Sequence, residues 1–264
     1  MRRLGTCIGL AIWAAPAQAG DLVFEWPVAS NDASAEIIGG TKQDPALWPA
    51  TLVFTSATGE RCTATAIGPR VLLTAGHCVR SVASGAIRGA GTKVACEPHE
   101  NYSSGVFYDM ALCLASAEIG LPGGAPYERI DIGLPAAARE QLMLLGYGCT
   151  SLGGTSGVLY GGGGQVRTPA TAEAPYFVTS GGAALCSGDS GGGAYRVLGA
   201  VSRQIVGVAS AMEGGGAASN FVSLADSEIA RFVRSWRERA IDAASGKPIK
   251  AEICGIDPIY SCHP

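Results

Sequence analysis

The stretch CSGDSGGG, residues 186–193, is the segment from which the fold and chemistry of this 264-residue chain are best deduced. Glycines on both sides of Ser190 let the backbone turn sharply and bring several N–H groups to one point, because no Cβ blocks the approach. Such amides can stabilise an oxyanion when a serine attacks a carbonyl, provided that a base activates the hydroxyl. An ordinary Gly/Ser/Asp turn is the alternative interpretation.

The composition favours a globular protein made of many short strands. Hydrophobic residues make up 47% of the chain and charged residues 16%, which is enough for a core and too apolar for disorder. Glycine accounts for 38 of the 264 residues, about twice the usual share, and such a density interrupts long helices. The net charge of −3 and the lack of basic runs after residue 3 argue against nucleic acid as a partner.

Residues 1–19 have the pattern of a secretory signal peptide, with two arginines, an apolar run over residues 4–15 and small residues at 17–19. That run is too short to span a bilayer and no second one approaches this length, so we expect a secreted or periplasmic protein without membrane contact. Removal of the signal takes away Cys7, one of nine cysteines, and leaves eight. An even number in an exported protein predicts disulfides.

The order of predicted elements indicates two strand-rich halves followed by one helix. An acidic segment at 20–36, without Lys or Arg, is interpreted as a linker, and a Pro/Gly-rich connector at 119–139 separates the halves. The final helix is predicted over 225–241, with Ser223 and Asp226 as its capping pair and an apolar face repeating at helical spacing. The predicted strands are 51–55, 63–67, 71–74, 92–96, 110–114, 141–147, 176–179, 192–196, 204–209 and 220–224.

Two residues far from Ser190 in the chain complete a possible catalytic set. His77 follows a predicted strand and precedes Cys78, which can anchor it, and Asp109 stands just before an apolar strand. Each alone is most simply structural. Together, the chain order His, Asp, Ser with a glycine-rich nucleophile loop is one of the known orders for an acyl-transfer triad.

These segments resemble the chymotrypsin/trypsin-like family of serine endopeptidases. The resemblance implies an all-β fold of two six-stranded antiparallel β-barrels with a C-terminal α-helix. The matching segments are IIGG at 37–40, TAGHC at 74–78, DMAL at 109–112, GYG at 146–148 and GDSGG at 188–192. The implied units are a signal peptide at 1–19, a propeptide at 20–36, barrels at 37–125 and 126–224, a helix at 225–241 and a disulfide-closed tail at 242–264.

The resemblance also implies the role of each site residue. Ser190 attacks the carbonyl of a protein or peptide substrate, His77 carries the proton to the leaving amine, and Asp109 orients the imidazole. The amides of Gly188 and Ser190 form the oxyanion hole. We expect a monomer that needs no cofactor. His99 and His263 lie in no zinc-ligand pattern, and no acidic calcium loop is present, so no metal site is expected.

Activation by proteolysis is a further implication of the resemblance. In the family, a new amine at the start of the IIGG-type motif, here Ile37, pairs with the acid before the nucleophile, here Asp189. We therefore expect an inactive precursor that an activating protease cuts between Glu36 and Ile37. Relatives activated by trypsin-like cleavage carry Arg or Lys where this chain has Glu36, so the activator must accept glutamate.

The specificity pocket is assigned to Ala184, Ser210 and Met212 by position in the family motif. Trypsin-like members have an aspartate at the position of Ala184, and small residues usually keep the pocket open where Met212 stands. A neutral, partly filled pocket rejects Lys and Arg and favours small or medium apolar residues. Ser210 also matches the serine that supports the buried aspartate, although a simple strand-end hydroxyl is the other interpretation.

Eight cysteines permit 105 pairings, and the layout selects one set. Cys62–Cys78 matches the family's most common bridge, and Cys96–Cys113 would join neighbouring strands around Asp109. Cys254–Cys262 is local in the chain. Cys149–Cys186 remains, because the usual partner downstream of Cys186 is missing.

Two other functions stay open at this stage. The GDSGG segment also satisfies the nucleophile-elbow pattern of lipases and esterases, but that fold places its base after the serine, where only His263 follows. A non-catalytic homologue would use the same surface for binding or adhesion. Such homologues usually lose a triad residue, whereas this chain has all three.

Overall fold

The fold is given by a computed structural model, which describes the backbone of residues 22–25 and residues 38–55, 61–81, 84–87, 92–149, 151, 153–199, 202–242, 244–257 and 262. The segment assigned to a signal peptide and most of the assigned propeptide lie outside these ranges, as do Ile37 and His263. The helices that the structure describes are too short or too polar to cross a bilayer.

Short strands dominate the described chain. In chain order the elements are β1 (Leu22–Glu25), β2 (Thr41–Lys42), β3 (Thr51–Thr55), β4 (Arg61–Gly68), β5 (Val71–Thr74), α1 (Gly76–Val79), β6 (Ser84–Ile87), β7 (Thr92–Pro98), β8 (Ala111–Ala115), β9 (Gln141–Gly146), β10 (Tyr160–Thr168), β11 (Tyr176–Ser180), β12 (Gly193–Val197), β13 (Arg203–Glu213), β14 (Ala218–Ser223), α2 (Ser227–Arg239), β15 (Ala240–Ile241) and β16 (Pro248–Ile249).

The first sheet closes into a barrel in the order β1-β3-β4-β5-β8-β7-β6. Strands β3 to β8 are the six that the family fold calls for, and they pair antiparallel where they are neighbours. The seventh, β1, comes from the segment interpreted above as a linker and stands between β3 and β6. The six antiparallel strands that were expected are therefore present, and β1 adds a seventh, which runs parallel to β6.

The second sheet has the order β11-β14-β13-β12-β9-β10-β2. A further pairing joins β10 to β11, which are the sixth and first strands of this order. The sequence analysis missed β10, whose segment YGGGGQVRT carries four consecutive glycines. Side-chain patterns cannot reveal such a strand. It forms because β9 and β11 offer it backbone partners on both sides.

The long helix α2 packs its apolar face into the core, as the spacing predicted, with Ile229, Phe232, Val233 and Trp236 buried. Its start corrects one expectation. Asp226 alone caps the helix, its Oδ1 accepting from the amides of Glu228 (3.0 Å) and Ile229 (3.2 Å). Ser223 ends strand β14 instead.

The tail after α2 lies along the first barrel and the connector. The amide of Cys254 donates to the carbonyl of Ile67, and the carbonyl of Cys254 accepts from the amide of Ile130. The amide of Tyr127 likewise donates to the carbonyl of Cys262. The four disulfides are the pairs given above: Cys62–Cys78, Cys96–Cys113, Cys149–Cys186 and Cys254–Cys262.

Candidate active site

A buried carboxylate joins the two barrels at the candidate site. Asp109, just before β8, is 1% exposed, and its Oδ2 lies 2.7 Å from Nδ1 of His77. Its Oδ1 accepts from the His77 amide (2.8 Å), and the Ser210 hydroxyl, from β13 of the second sheet, donates to Oδ2 (2.6 Å). Because a carboxylate only accepts hydrogen bonds, the contact between Oδ2 of Asp109 and Nδ1 of His77 places the ring proton on Nδ1. The lone pair is then on Nε2.

The backbone around Asp109 is held in an unusual conformation. Tyr108 has φ of 56°, the left-handed region that non-glycine residues seldom adopt, and its carbonyl accepts from the Met110 amide. The ring of His99 stacks on that of Tyr108, with the ring centroids 4.8 Å apart, and also contacts the ring of Phe232. Burial lowers the pKa of His99. His99 thus helps to fix the loop that carries Asp109, a role the sequence analysis missed.

The loop around Ser190 is fixed to the first barrel by Thr63 of β4. The Thr63 amide donates to the Ser190 carbonyl (2.8 Å), and its hydroxyl donates to the Gly188 carbonyl (2.8 Å) while accepting from the Tyr147 amide (3.0 Å). At Gly191 a Cβ would collide with the Thr63 carbonyl, so only glycine fits. No sequence motif pointed to Thr63, because only the barrel contact gives it this role.

The glycine-rich turn leaves two backbone amides available at Ser190. Gly188 has φ of 103°, a conformation that L side chains rarely adopt. Within the described part of the chain, the amides of Gly188 and Ser190 donate to no other group. Such a pair is what an oxyanion hole requires.

The Cys62–Cys78 disulfide joins α1, the helix that carries His77, to β4, and it lies close to the Ser190 loop. Nε2 of His77 lies 3.6 Å from Sγ of Cys78, and the same sulfur lies 3.9 Å from the carbonyl oxygen of Ser190. Cys62, His77 and Cys78 also form the one cluster of metal-ligand residue types among the described residues. Since both sulfurs are used in the Cys62–Cys78 bridge, this cluster has no thiolates with which to hold a metal.

The Asp189 side chain lies against Gly146 and Gly148, at the end of β9 in the second sheet. It is fully buried and accepts from the amides of Gly148 (2.7 Å) and Cys186 (2.8 Å). Burial raises its pKa to about 7, and the two backbone hydrogen bonds oppose this only in part. Ile37 lies outside the described residues, but the next residue, Ile38, accepts from the Ala184 amide (3.0 Å).

Of the three residues assigned to the specificity pocket, Ser210 and Met212 lie on β13, and Ala184 forms an isolated bridge with Ile38. Ala184 is buried, Ser210 reaches Asp109, and the half-buried Met212 is paired across β13 and β14 with Ser219. Paired residues share a face, so Ser219 stands opposite Met212. The Ser219 hydroxyl also accepts from the Leu185 amide (2.8 Å). Ser219 was missed because its place depends on the register of this hairpin.

Comparison with known proteins gives one family and one fold. The family model described as Trypsin matches residues 37–231. Among solved structures, the chain is similar to the scabies mite inactivated protease paralogue S-D1, with a TM-score of 0.61 and 18% identity over 81% of this chain and 100% of that one. At this identity the likeness shows the fold. No curated protein matches the sequence.

Proposed function

Because the chain belongs to the trypsin family, we propose that it is a serine endopeptidase that hydrolyses peptide bonds through an acyl-enzyme intermediate. The observation that carries the proposal is the buried Asp109 carboxylate, shared between Nδ1 of His77 and the hydroxyl of Ser210. A non-catalytic protein has no need to keep a buried acid in contact with a histidine beside a glycine-rich serine loop. The arrangement fits catalysis.

In the proposed mechanism the Ser190 hydroxyl attacks the substrate carbonyl as Nε2 of His77 takes its proton. Asp109 stabilises the imidazolium, and the amides of Gly188 and Ser190 bind the oxyanion. The imidazolium then passes its proton to the leaving amine, and the acyl group stays on the serine. Water, deprotonated by the same histidine, hydrolyses the ester and restores the hydroxyl.

The direct test is labelling with a fluorophosphonate, which reacts with activated serines. We expect one label, on Ser190, and hydrolysis of peptide substrates as well as esters. Absence of label on correctly processed protein would support a non-catalytic homologue, of the kind that the name of the mite paralogue describes. Label with turnover of esters alone would favour the esterase alternative.

The proposal includes export and proteolytic activation. Four disulfides fit an exported protein. Among the described residues, Asp189 has backbone amides but no cation as partners, and a buried carboxylate in that state is unfavourable. A new amine at Ile37 would supply the missing charge, since Ile38 is already bound to Ala184. Mass spectrometry of the secreted protein should find a long chain whose first residue is Ile37.

This assignment predicts how stability depends on pH before the cut. The pKa of Asp189, about 7 when folded, lies above the ordinary value near 3.9, so the folded chain binds this proton more tightly than the unfolded chain. Its contribution to stability is therefore lost as pH rises from about 4 to about 7. On an uncut Ser190→Ala background, we expect the melting temperature relative to that of Asp189→Asn to fall between about pH 4 and about pH 7.

After cleavage the same comparison should give a different result. The Ile37 amine stabilises the charged carboxylate and lowers the pKa of Asp189, so the fall with pH disappears in this range. Equal pH profiles for uncut, cut and Asp189→Asn proteins would contradict the proposed ion pair.

Specificity for small or medium apolar residues follows from Ala184, Met212 and Ser219, which present no negative charge to a substrate cation. Replacing Met212 by glycine is expected to open the pocket and to raise the ratio of kcat/KM for Phe over Ala at the cleaved position by about tenfold to hundredfold. The control is Ala211→Gly, which introduces a glycine at the neighbouring position of β13, on the other face of the strand. This variant should leave the kcat/KM ratio unchanged. A wild-type preference for Lys or Arg would contradict this assignment.

A further inference from the structure

Strand β1 belongs to the segment that the proposed activation would separate from the enzyme. The register pairs Phe24 with Phe54 on β3 and with Ile87 on β6, so this segment is flanked on both sides. Phe54 and Ile87 are both buried. The strand at the seam between β3 and β6 thus precedes the Glu36–Ile37 bond in the chain, whereas the residues of the proposed triad follow it.

The barrel needs a strand at this seam. Without β1, the facing edges of β3 and β6 would expose unpaired N–H and C=O groups next to core residues, which is costly for a folded sheet. The sequence suits the place, because Val23 and Phe24 are residue types with high strand propensity.

Release of the segment is not required for activation. In the uncut chain β1 pairs with both neighbours while Ile38 already accepts from the Ala184 amide in the second sheet. Cutting the Glu36–Ile37 bond therefore changes the chain between two anchored points and leaves both anchors in place. Residues 20–36 contain no cysteine, so no disulfide is available to retain them.

We infer that the cleaved segment 20–36 stays bound to the mature enzyme, without a covalent link, as the strand that closes the first barrel. This rests on the proposed function, in which the chain is a precursor cut before Ile37. The mature enzyme is then a two-chain molecule: a short acidic peptide held by backbone pairing, and a long chain that carries the triad and the disulfides. The seam between β3 and β6 is a peptide-binding surface.

The test uses the full chain with residues 32–36 replaced by an enteropeptidase site that ends directly before Ile37, so the natural activator is not needed. After cleavage and gel filtration under native conditions, denaturing mass spectrometry should find the short peptide in a one-to-one ratio with the long chain. Loss of the peptide with an unchanged melting temperature would overturn the inference. Activity on a peptide substrate is measured separately and tests the proposed function alone.

Backbone pairing is tested by exchange. A labelled synthetic peptide of residues 20–36 should replace the resident peptide in the cut enzyme during warming. The Val23→Pro peptide should not exchange, because proline removes an N–H that faces a neighbouring strand. The matched Ala29→Pro peptide, altered outside β1, should exchange like the wild type. Equal exchange by all three, or by none, would overturn pairing through β1.

Discussion

Replacing Ser190 by alanine is expected to lower kcat by about 10⁶-fold, because the change removes the hydroxyl that forms the proposed acyl-enzyme. The change removes one hydroxyl from a half-buried position whose carbonyl accepts from the Thr63 amide, and the following residues, Gly191 and Gly192, pair with Ala209. The fold and the melting temperature should therefore stay unchanged. The measurement is the single-turnover and steady-state hydrolysis of a peptide substrate with a small apolar residue before the cleaved bond.

The chain offers a matched control three residues away. Ser187 lies in the same loop, is exposed, and contacts Cys149 only through its carbonyl. Ser187→Ala should keep wild-type kcat and should still be labelled by a fluorophosphonate. If Ser190→Ala retained activity within tenfold of the wild type, another residue would have to be the nucleophile and the proposed mechanism would be wrong.

Replacing Asp109 by asparagine is expected to lower kcat by about 10⁴-fold with little change in KM. The carboxylate accepts three hydrogen bonds, two from His77 and one from Ser210. An amide has one oxygen and one NH₂ group, so it cannot accept from all three donors. If the NH₂ group of the new asparagine faces Nδ1, the His77 ring has to accept a hydrogen bond there and carry its proton on Nε2. A protonated Nε2 cannot act as the base.

The control for this variant is a second buried aspartate away from the site. Asp242 is buried and pairs with Arg70. Asp242→Asn should affect the melting temperature but not kcat. Partial recovery of Asp109→Asn activity at high pH is also expected, since hydroxide can replace the missing base. A loss of activity that came entirely from unfolding would contradict the assignment of Asp109 to the triad.

The elements that could be predicted from sequence are those whose side chains alone report their surroundings. The predicted bounds of β3 and β5 match the structure, because continuous β-branched and apolar residues mark buried strands. The apolar face of α2 was predicted for the same reason. Strands β6 and β10, with the segments SGAI and YGGGGQVRT, were not found. Their glycines carry no pattern, and neighbouring strands impose their extended backbone.

The residues of the candidate site likewise fall into those that the sequence could identify and those that it could not. The sequence identified His77, Asp109 and Ser190 because each sits in a short segment whose residue types are restricted by local geometry. Thr63, His99 and Ser219 could not be identified, since each acts through a partner more than eight residues away in the chain: the Ser190 loop, the α2 helix and the Leu185 amide.

By itself, then, the amino-acid sequence determined the family, the residues of the candidate triad and the strands that carry their own hydrophobic pattern, because these depend on local residue chemistry. The tertiary structure alone decided that the Asp109 carboxylate is shared between His77 and Ser210. It also decided that β1, from the acidic segment at 20–36, is the closing strand of the first barrel. The physical reason is that backbone hydrogen bonds between distant segments depend on which edges lie together in space, and no side-chain pattern records that.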